Sequence, residues 1–467
     1  MTASIIYPSI NLFLYDLREG LGQDDGTVAQ NRRIFARKLY GNLAEDLLND
    51  RLKSLQQRET PEAEYLELLE TRTLPFEDPE DGQYYPVQLG DTYGLVVDYS
   101  GKLNPDSKAN DSPQAVQLNP APTPFYPLKK TIEERLCQQT GSIGQTWLLF
   151  GKLADANADI LEVAKDSYAQ IVPNPKWERD FIGENFLLGG TLYELNYFPF
   201  HSGLNWEECH AKSYHILVWL FPHDVDPDVM RASVKSLYFD FLRLFHYRHK
   251  VTWCYAQGRH LMGELKTEFI YLQKAVDRVA KIPDTVESGQ LNLKALEKTL
   301  AETLKTLADY TIKLNYLDAQ IRTLKMNSND YEIRLNQIEA SHQWGDLTSL
   351  MTFRNSEKYA KRYQQQLEND YNFLSPGLTI LQNLTSTIGG IIDLEKARND
   401  RALNNTVAIA GVGLAVSGVA VSVATSDNSP TSYKDITFLA APAFWLSLAV
   451  GAIAAILVLG LMHLRRR

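Results

Sequence analysis

Residues 406–467 constrain this chain more than any other part of it. Residues 406–425 read TVAIAGVGLAVSGVAVSVAT, twenty residues without a charge, about the length that crosses roughly 30 Å of hydrocarbon as a helix. Residues 436–464 form a longer apolar run, with Pro442 near its start and Trp445 where an interfacial aromatic would sit. The ten-residue link 426–435, SDNSPTSYKD, can join antiparallel neighbours and little more. The expectation is therefore a transmembrane hairpin of two helices. Lys396, Arg398 and Arg401 precede the first run, and Arg465, Arg466 and Arg467 follow the second. The positive-inside rule then places both termini in the cytoplasm and the link outside, in the inner or plasma membrane. In the first run, Gly411, Ala415 and Gly418 are spaced so that helix backbones could approach closely.

The rest of the chain balances these runs to a mean hydropathy of −0.27, so the apolar material is concentrated after Asn405. A formal net charge of −10, from 57 acids and 47 bases, argues against a nucleic-acid partner, which needs a basic surface. Cys137, Cys209 and Cys254 lie far apart without CxxC spacing, and a reduced, cytosolic setting is the simplest reading. The apolar stretch 5–14 carries Tyr7, Pro8, Ser9 and Asn11 and is soon followed by Asp16. It reads as a strand and not as a secretory signal.

Residues 1–280 are expected to form an α+β (α/β) cytoplasmic domain. Strands are expected at 95–99, 146–150, 186–197 and 214–221, each rich in β-branched or aromatic residues. Helices are expected at 31–57, with Phe35, Leu39, Leu43 and Leu47 on one face, and at 227–247. Residues 103–124 have the Pro, Asn, Asp and Ser content of an exposed loop, and 59–81, with nine acids and one base, read as a solvated helix and loop. No phosphate-binding loop is evident: Gly141 to Gly144 precede a strand, and Gly151-Lys152 is followed by Leu153. His201, Cys209, His210, His215 and His223 crowd together without a CxxC or HxxxH pair, which favours structural roles over zinc. No nucleophile and base can be paired, so enzyme activity is unsupported.

Residues 281–405 read as long, coiled-coil-like helices. Leu293, Leu296, Leu300, Leu304, Leu307, Leu314, Leu317, Ile321 and Leu324 follow three-four spacing. A break is expected at 327–330 and a second helix from near Asp346. Ser375-Pro376-Gly377 punctuates the chain, with Pro376 suited to a first helical position. From Leu378 one helix is expected to run to about Thr425, roughly 70 Å at 1.5 Å per residue. Its seam would be Leu381, Leu384, Ile388, Ile391, Glu395, Arg398, Ala402 and Asn405.

This layout of α/β domain, long helices, stalk helix, two C-terminal spans and the tail Leu464-Arg-Arg-Arg467 resembles the CorA family of divalent-cation channels, best over 290–467. The resemblance implies a homopentamer whose first spans line a pore and whose cytoplasmic domains respond to magnesium. The family's Gly-Met-Asn signature is absent. The equivalent place reads Val423-Ala-Thr-Ser-Asp-Asn428, where Asp427 and Asn428 offer oxygen ligands at an outer mouth. Divergent relatives without the triplet serve as membrane effectors that answer a bound nucleotide signal. The functional expectation is thus a CorA-like oligomeric membrane protein, either a cation channel or a ligand-gated effector. Glu395, Asn399, Asn404, Asn405 and Thr406 would line its inner pore, magnesium would be the permeant ion or regulator, and a small regulatory ligand would bind. The same periodicity also fits a non-conducting, membrane-anchored coiled-coil scaffold.

Overall fold

The computed structural model of the chain describes residues 5–102, 124–199, 205–282, 292–341 and 350–400. They divide into two compact units. One takes the residues up to Met262 together with Tyr316–Asp370; the other takes Gly263–Asn315 together with the residues from Tyr371 onward.

The first unit is built on a nine-stranded mixed sheet of order β2-β4-β5-β1-β6-β9-β8-β7, with β3 paired to β4. The central strands are β1 (Ile5–Leu17), β6 (Gly144–Leu153) and β9 (Tyr214–Phe221). Their sequences are nearly continuous apolar runs, because helices cover both faces of the sheet. β6 and β9 pair in parallel, Thr146 opposite His215, and β1 pairs antiparallel with β6 and with β5 (Thr92–Lys102). Alternate residues feed two cores. Leu12, Leu95, Leu149 and Val218 face α1 (Asp25–Tyr40), α2 (Glu45–Arg58), α3 (Phe125–Arg135) and α4 (Ile160–Ala169). Phe13, Val96, Leu148 and Leu217 face α7 (Pro227–Ala280), the end of α8 (Leu293–Ser341) and the start of α9 (Met351–Leu374).

Several sequence expectations change in detail. The helix expected at 31–57 is two helices: α1 is capped by Asp24, which accepts from Thr27 N at 2.8 Å, and ends at Gly41 with φ 67°. In α2 Leu48 is buried and Leu47 faces out. The strand expected at 186–197 is a hairpin of β7 (Phe181–Leu187) and β8 (Gly190–Tyr197). Its two-residue turn places Leu188 and Gly189 at φ 46° and 86°, the pattern that matches strand twist. The acidic stretch 59–81 supplies β2 (Leu66–Glu67), β3 (Leu74–Pro75) and the start of β4 (Glu80–Leu89), a strand absent from the sequence reading. α7 continues to Ala280 instead of stopping near 247.

α8 shows no break at 327–330. Asn327 stays in the helix by donating from Nδ2 to Thr323 O at 2.8 Å. Its buried seam follows heptad spacing: Tyr310, Leu317, Leu324, Tyr331 and Ile338 alternate with Leu314, Ile321 and Leu335, interrupted only at 327–328, where Asn327 is buried and Ser328 half-buried. Leu304 lies off that seam and is exposed; Thr303 takes the inner position, its hydroxyl satisfied by Thr299 O at 2.8 Å. In the second unit α10 (Pro376–Asp400) begins at the expected proline and buries Leu381, Leu384, Ile388 and Ile392 in place of Ile391.

The transmembrane expectation is corrected. Among the described residues no helix is long and apolar enough to cross a membrane. The long helices are amphipathic, and the described part of α10 carries Asp393, Glu395 and Lys396. The segments 406–425 and 436–464 lie outside the described residues. A two-span membrane protein with cytoplasmic termini is not supported, and nothing among the described residues supports ion transport.

One buried ion pair pins α1 to the sheet. Lys38 Nζ lies 2.7 and 2.8 Å from the Asp16 carboxylate oxygens and 2.6 Å from Thr140 O, and Ser142 N donates to Asp16 at 2.8 Å. Both side chains are almost wholly buried, so removing one leaves the other charge uncompensated. Lys38→Met should therefore lose about 3–5 kcal/mol of unfolding free energy in a urea titration, whereas an exposed pair of this kind would lose under about 1 kcal/mol.

Candidate functional site

Charged and polar side chains occupy positions in the α7-facing core where alternation calls for apolar ones. On the sheet these are Thr146 of β6, Glu194 of β8 and His215 of β9, flanked by Leu148, Leu192 and Leu217 of the same core. Glu194 and His215 are diagonal neighbours, since Asn196 pairs with His215 and Glu194 with Leu217. Glu194 Oε1 lies 3.0 Å from His215 Nε2. His215 Nδ1 lies 2.9 Å from Thr146 Oγ1, which in turn lies 2.8 Å from His249 Nε2 on α7. The start of β6 accommodates this imidazole because Gly144, at φ 149°, has no Cβ; one would stand 2.4 Å from His249 Nδ1. Thr352 of α9 bonds to Asn185 of β7 and to Glu194.

Burial sets the protonation of this chain of bonds. It pushes Glu194 up to about 7, against the pull of the Arg248 guanidinium and the Thr352 hydrogen bond. Burial, with Arg248 adding to it, holds His215 and His249 well below the usual imidazole range. Both rings are therefore neutral, and the Thr146 hydroxyl donates to one and accepts from the other. With Glu194 ionised, His215 Nε2–H donates to the carboxylate and Thr146 donates to His215 Nδ1. With Glu194 protonated, each of these bonds can reverse.

Arg248 connects the buried chain to a cavity of about 790 Å³. The cavity is walled by α7, α8 and α9 and by β7, β8 and the short α5 (Trp177–Asp180). Arg248 lies at its base and is buried; its Nη2 donates to Asn196 Oδ1 at 3.3 Å, and its Nε has no partner in the structure. Lys358 and Arg362 are exposed at the mouth, on α9. The lining carries four cations, Arg179, Arg248, Lys358 and Arg362, against one carboxylate. That carboxylate, Asp180, is already held by Arg179 at 2.5 and 2.7 Å and by the Tyr168 hydroxyl at 2.5 Å. Phe181, Phe198, Tyr359 and Tyr363 supply aromatic wall, and Tyr363 is braced from behind by Tyr255, stacked at 4.0 Å. A net positive, aromatic-walled cavity suits an anionic ligand with a planar portion.

The residues singled out from the sequence fare differently. His210 Nε2 is 2.7 Å from Ile143 O, and His223 Nδ1 is 3.1 Å from Leu153 O. The Cys209 thiol donates to Pro199 O at 3.8 Å, while His201 lies outside the described residues. Only His215 of that group joins the buried chain. No three His, Cys, Asp or Glu side chains among the described residues converge to hold a metal ion. Of the inner-pore candidates, Glu395 is half-buried on α10 and Asn399 lies one turn further along the same helix. Asn404, Asn405, Thr406, Asp427 and Asn428 lie outside the described residues. Thr146, Glu194, Arg248 and His249 escaped the sequence reading. Their signal was there to find: Glu194 interrupts TLYELNY, and Arg248-His249-Lys250 interrupts the apolar face of α7.

No protein-family model matches the sequence, and no curated protein matches it.

The raised Glu194 acid gives a signed pH effect. Its folded value of about 7 exceeds its ordinary 4.5. Across that window the native chain holds a proton the unfolded chain has released, and stability falls as pH rises. Glu194→Gln lacks this contribution, whereas the depressed histidines, which cost stability as pH falls, are common to both proteins. Relative to the parent, the variant should gain stability from about pH 4.5 to about pH 7, read as urea midpoints; a constant difference would contradict the assignment.

Proposed function

We propose that this chain is a ligand-responsive protein whose α/β/α unit captures a small polyanion, such as a phosphorylated metabolite, in the cavity above Arg248. The single observation that supports it is the buried Arg248 guanidinium, which lacks a partner at Nε and sits at the base of a cavity with a surplus of cations. A buried, incompletely satisfied cation is costly, and an anion would repay that cost with charge-assisted bonds. Arg248 belongs to α7 and Lys358 and Arg362 to α9, so an anion would bind these two helices together. α7 continues in sequence past Met262 into the second unit, and the residues after α9 belong there too. This gives the chain a route by which occupancy could alter helix packing.

Inorganic pyrophosphate and a nucleoside triphosphate are suitable probes, titrated calorimetrically into the full chain. Arg248→Gln and Arg362→Ala should each weaken binding at least tenfold, about 1.4 kcal/mol or more. Arg362 is exposed, so its loss tests the site without disturbing the core. An anion beside Arg248 also weakens that residue's pull on Glu194, so binding near neutral pH should take up protons. No binding of either probe by the parent at millimolar concentration would rule the reading out.

A second reading, self-association as a helical scaffold, is favoured by the outer face of α8. Opposite its buried seam, Ile312, Met326 and Ile333 recur at heptad spacing and are about half exposed, with Ala319 between them. That position in a helical bundle normally faces water and is polar. A second copy of the same stripe would bury it against an identical partner. Light scattering should then give a multiple of 52.9 kDa, and Met326→Lys with Ile333→Lys should yield the monomer. A monomeric parent would end this reading and leave the ligand site untouched.

A further inference from the structure

The cavity above Arg248 is larger than a phosphate group fills. Its volume, about 790 Å³, lies in the range that encloses a whole small organic molecule. Arg248, Lys358 and Arg362 account for the anionic end of such a ligand, and four rings, Phe181, Phe198, Tyr359 and Tyr363, border the space that is left. Three of the four are each fixed by a ring that does not itself line the cavity. Tyr363 on α9 stacks on Tyr255 of α7, centroids 4.0 Å and planes 12° apart. Phe181, at the start of β7, stacks on Trp177 of α5 at 5.4 Å and 18°. Phe198, just past β8, packs at 5.4 Å on Trp206 of α6 (Trp206–Ala211), which meets Tyr255 edge-on at 5.2 Å. Rings held from behind are preorganised, so docking a flat group on them costs little side-chain entropy.

A second cavity in the first unit gives the contrast. It measures about 630 Å³ and lies around Arg231 and Tyr238, toward the start of α7. Its three carboxylates, Asp81, Asp98 and Asp228, are matched by three cations, Arg72, Arg231 and Lys235. Arg72 also stands over the Tyr85 and Phe239 rings, at 5.7 and 4.7 Å. In the anion cavity neither condition holds. Three cations remain once Arg179 is held by Asp180. Among the described residues, no lysine or arginine stands over Phe181, Phe198, Tyr359 or Tyr363.

We infer that the ligand of the anion cavity is an aromatic phosphate, its phosphate held by the cations and its flat ring stacked on Tyr363. This deepens the anion reading and rests on it. Tyr363 is the best-placed platform of the four. Its backing by Tyr255 is the closest ring pair around the cavity, and it follows Arg362 directly on α9. The Tyr363 hydroxyl lies within the fields of both Arg248 and Arg362, so a ring seated there keeps its phosphate in reach of either guanidinium. Stacking accepts any flat ring, and the selected class is therefore ring-bearing phosphates over sugar or inorganic phosphates. A simple aryl phosphate and a nucleotide share that chemistry.

Probe pairs of equal charge separate ring from phosphate on the full-length chain. Phenyl phosphate is set against glycerol 3-phosphate, and adenosine monophosphate against ribose 5-phosphate, each titrated calorimetrically beside pyrophosphate. In at least one pair the ring-bearing member should bind about tenfold tighter or more, and the pair that shows it tells an aryl phosphate from a nucleotide. Tyr363→Leu keeps bulk but removes the flat face, and should cut that ratio to about threefold or less. Arg362→Ala should weaken both members in parallel and keep the ratio. Equal binding within both pairs overturns the aromatic assignment, while pyrophosphate binding would still uphold the anion site. A Tyr363→Leu protein of parental melting temperature that retains the parental ratio overturns it as well. If the parent binds none of these phosphates, pyrophosphate included, the anion reading falls and this inference with it.

Discussion

Burial of the central strands on both faces leaves a polar side chain there with two outcomes. It finds a partner inside the protein, or it costs several kcal/mol. Leu12, Phe13, Leu148, Leu149, Leu217 and Val218 take the simple course and fill one core or the other. The exceptions cluster, and each cluster meets the requirement differently. Asp16 and Lys38 satisfy each other within a ring of backbone groups. Thr146, His215, His249 and Glu194 pass one chain of bonds among themselves and tune their protonation to do so. Arg248 and Tyr238 each keep a buried polar atom without a partner, and both line cavities. Glu194 Oε2 is also left without a partner, and it lines neither cavity.

How far the sequence discloses this depends on what sits beside each residue. β9 was legible to its ends because an apolar run stands between Ser213 and Pro222. β4 was not, since EDGQYYPVQL begins in an acidic stretch and contains both Gly82 and Pro86. α7 reads as ending near Tyr247 because the basic run Arg248-His249-Lys250 looks like a helix C-terminus. In the fold those charges are spent sideways: Lys250 bonds to Asp91 at 2.7 Å, and Arg248 faces Asn196 and the field of Glu194. Long-range partners such as these have no local signature. The candidate site was therefore visible only as misplaced polarity, one residue at a time, and the topology alone brings those residues together.

Helical periodicity was the most legible property and the least informative about assembly. The heptad seam of α8 is satisfied within the chain: Tyr331 donates to Phe353 O at 2.9 Å in the first unit, and Tyr310 to Leu374 O at 2.6 Å in the second. α7 and α9 approach so closely that a Cβ on Gly258 would stand 2.7 Å from Leu367. A seam that a sequence presents as oligomeric can thus be an intramolecular one. What remains outward on α8 is the opposite stripe, and only that stripe bears on self-association.

The two cavities also owe their independence to α7. Arg231 and Arg248 are seventeen residues apart on it, about 25 Å along the axis. Between them Val234, Leu237, Phe241, Leu242, Leu244 and Phe245 are buried, and Tyr15 donates its hydroxyl to Leu242 O at 2.7 Å. This stretch keeps the two cavities apart as separate spaces with no shared lining residue. It is closed by aromatic packing, with Phe245 edge-on to Phe13 at 5.3 Å and stacked on Phe241 at 5.0 Å, so the apolar middle of α7 belongs to the core while its polar positions on either side reach open space.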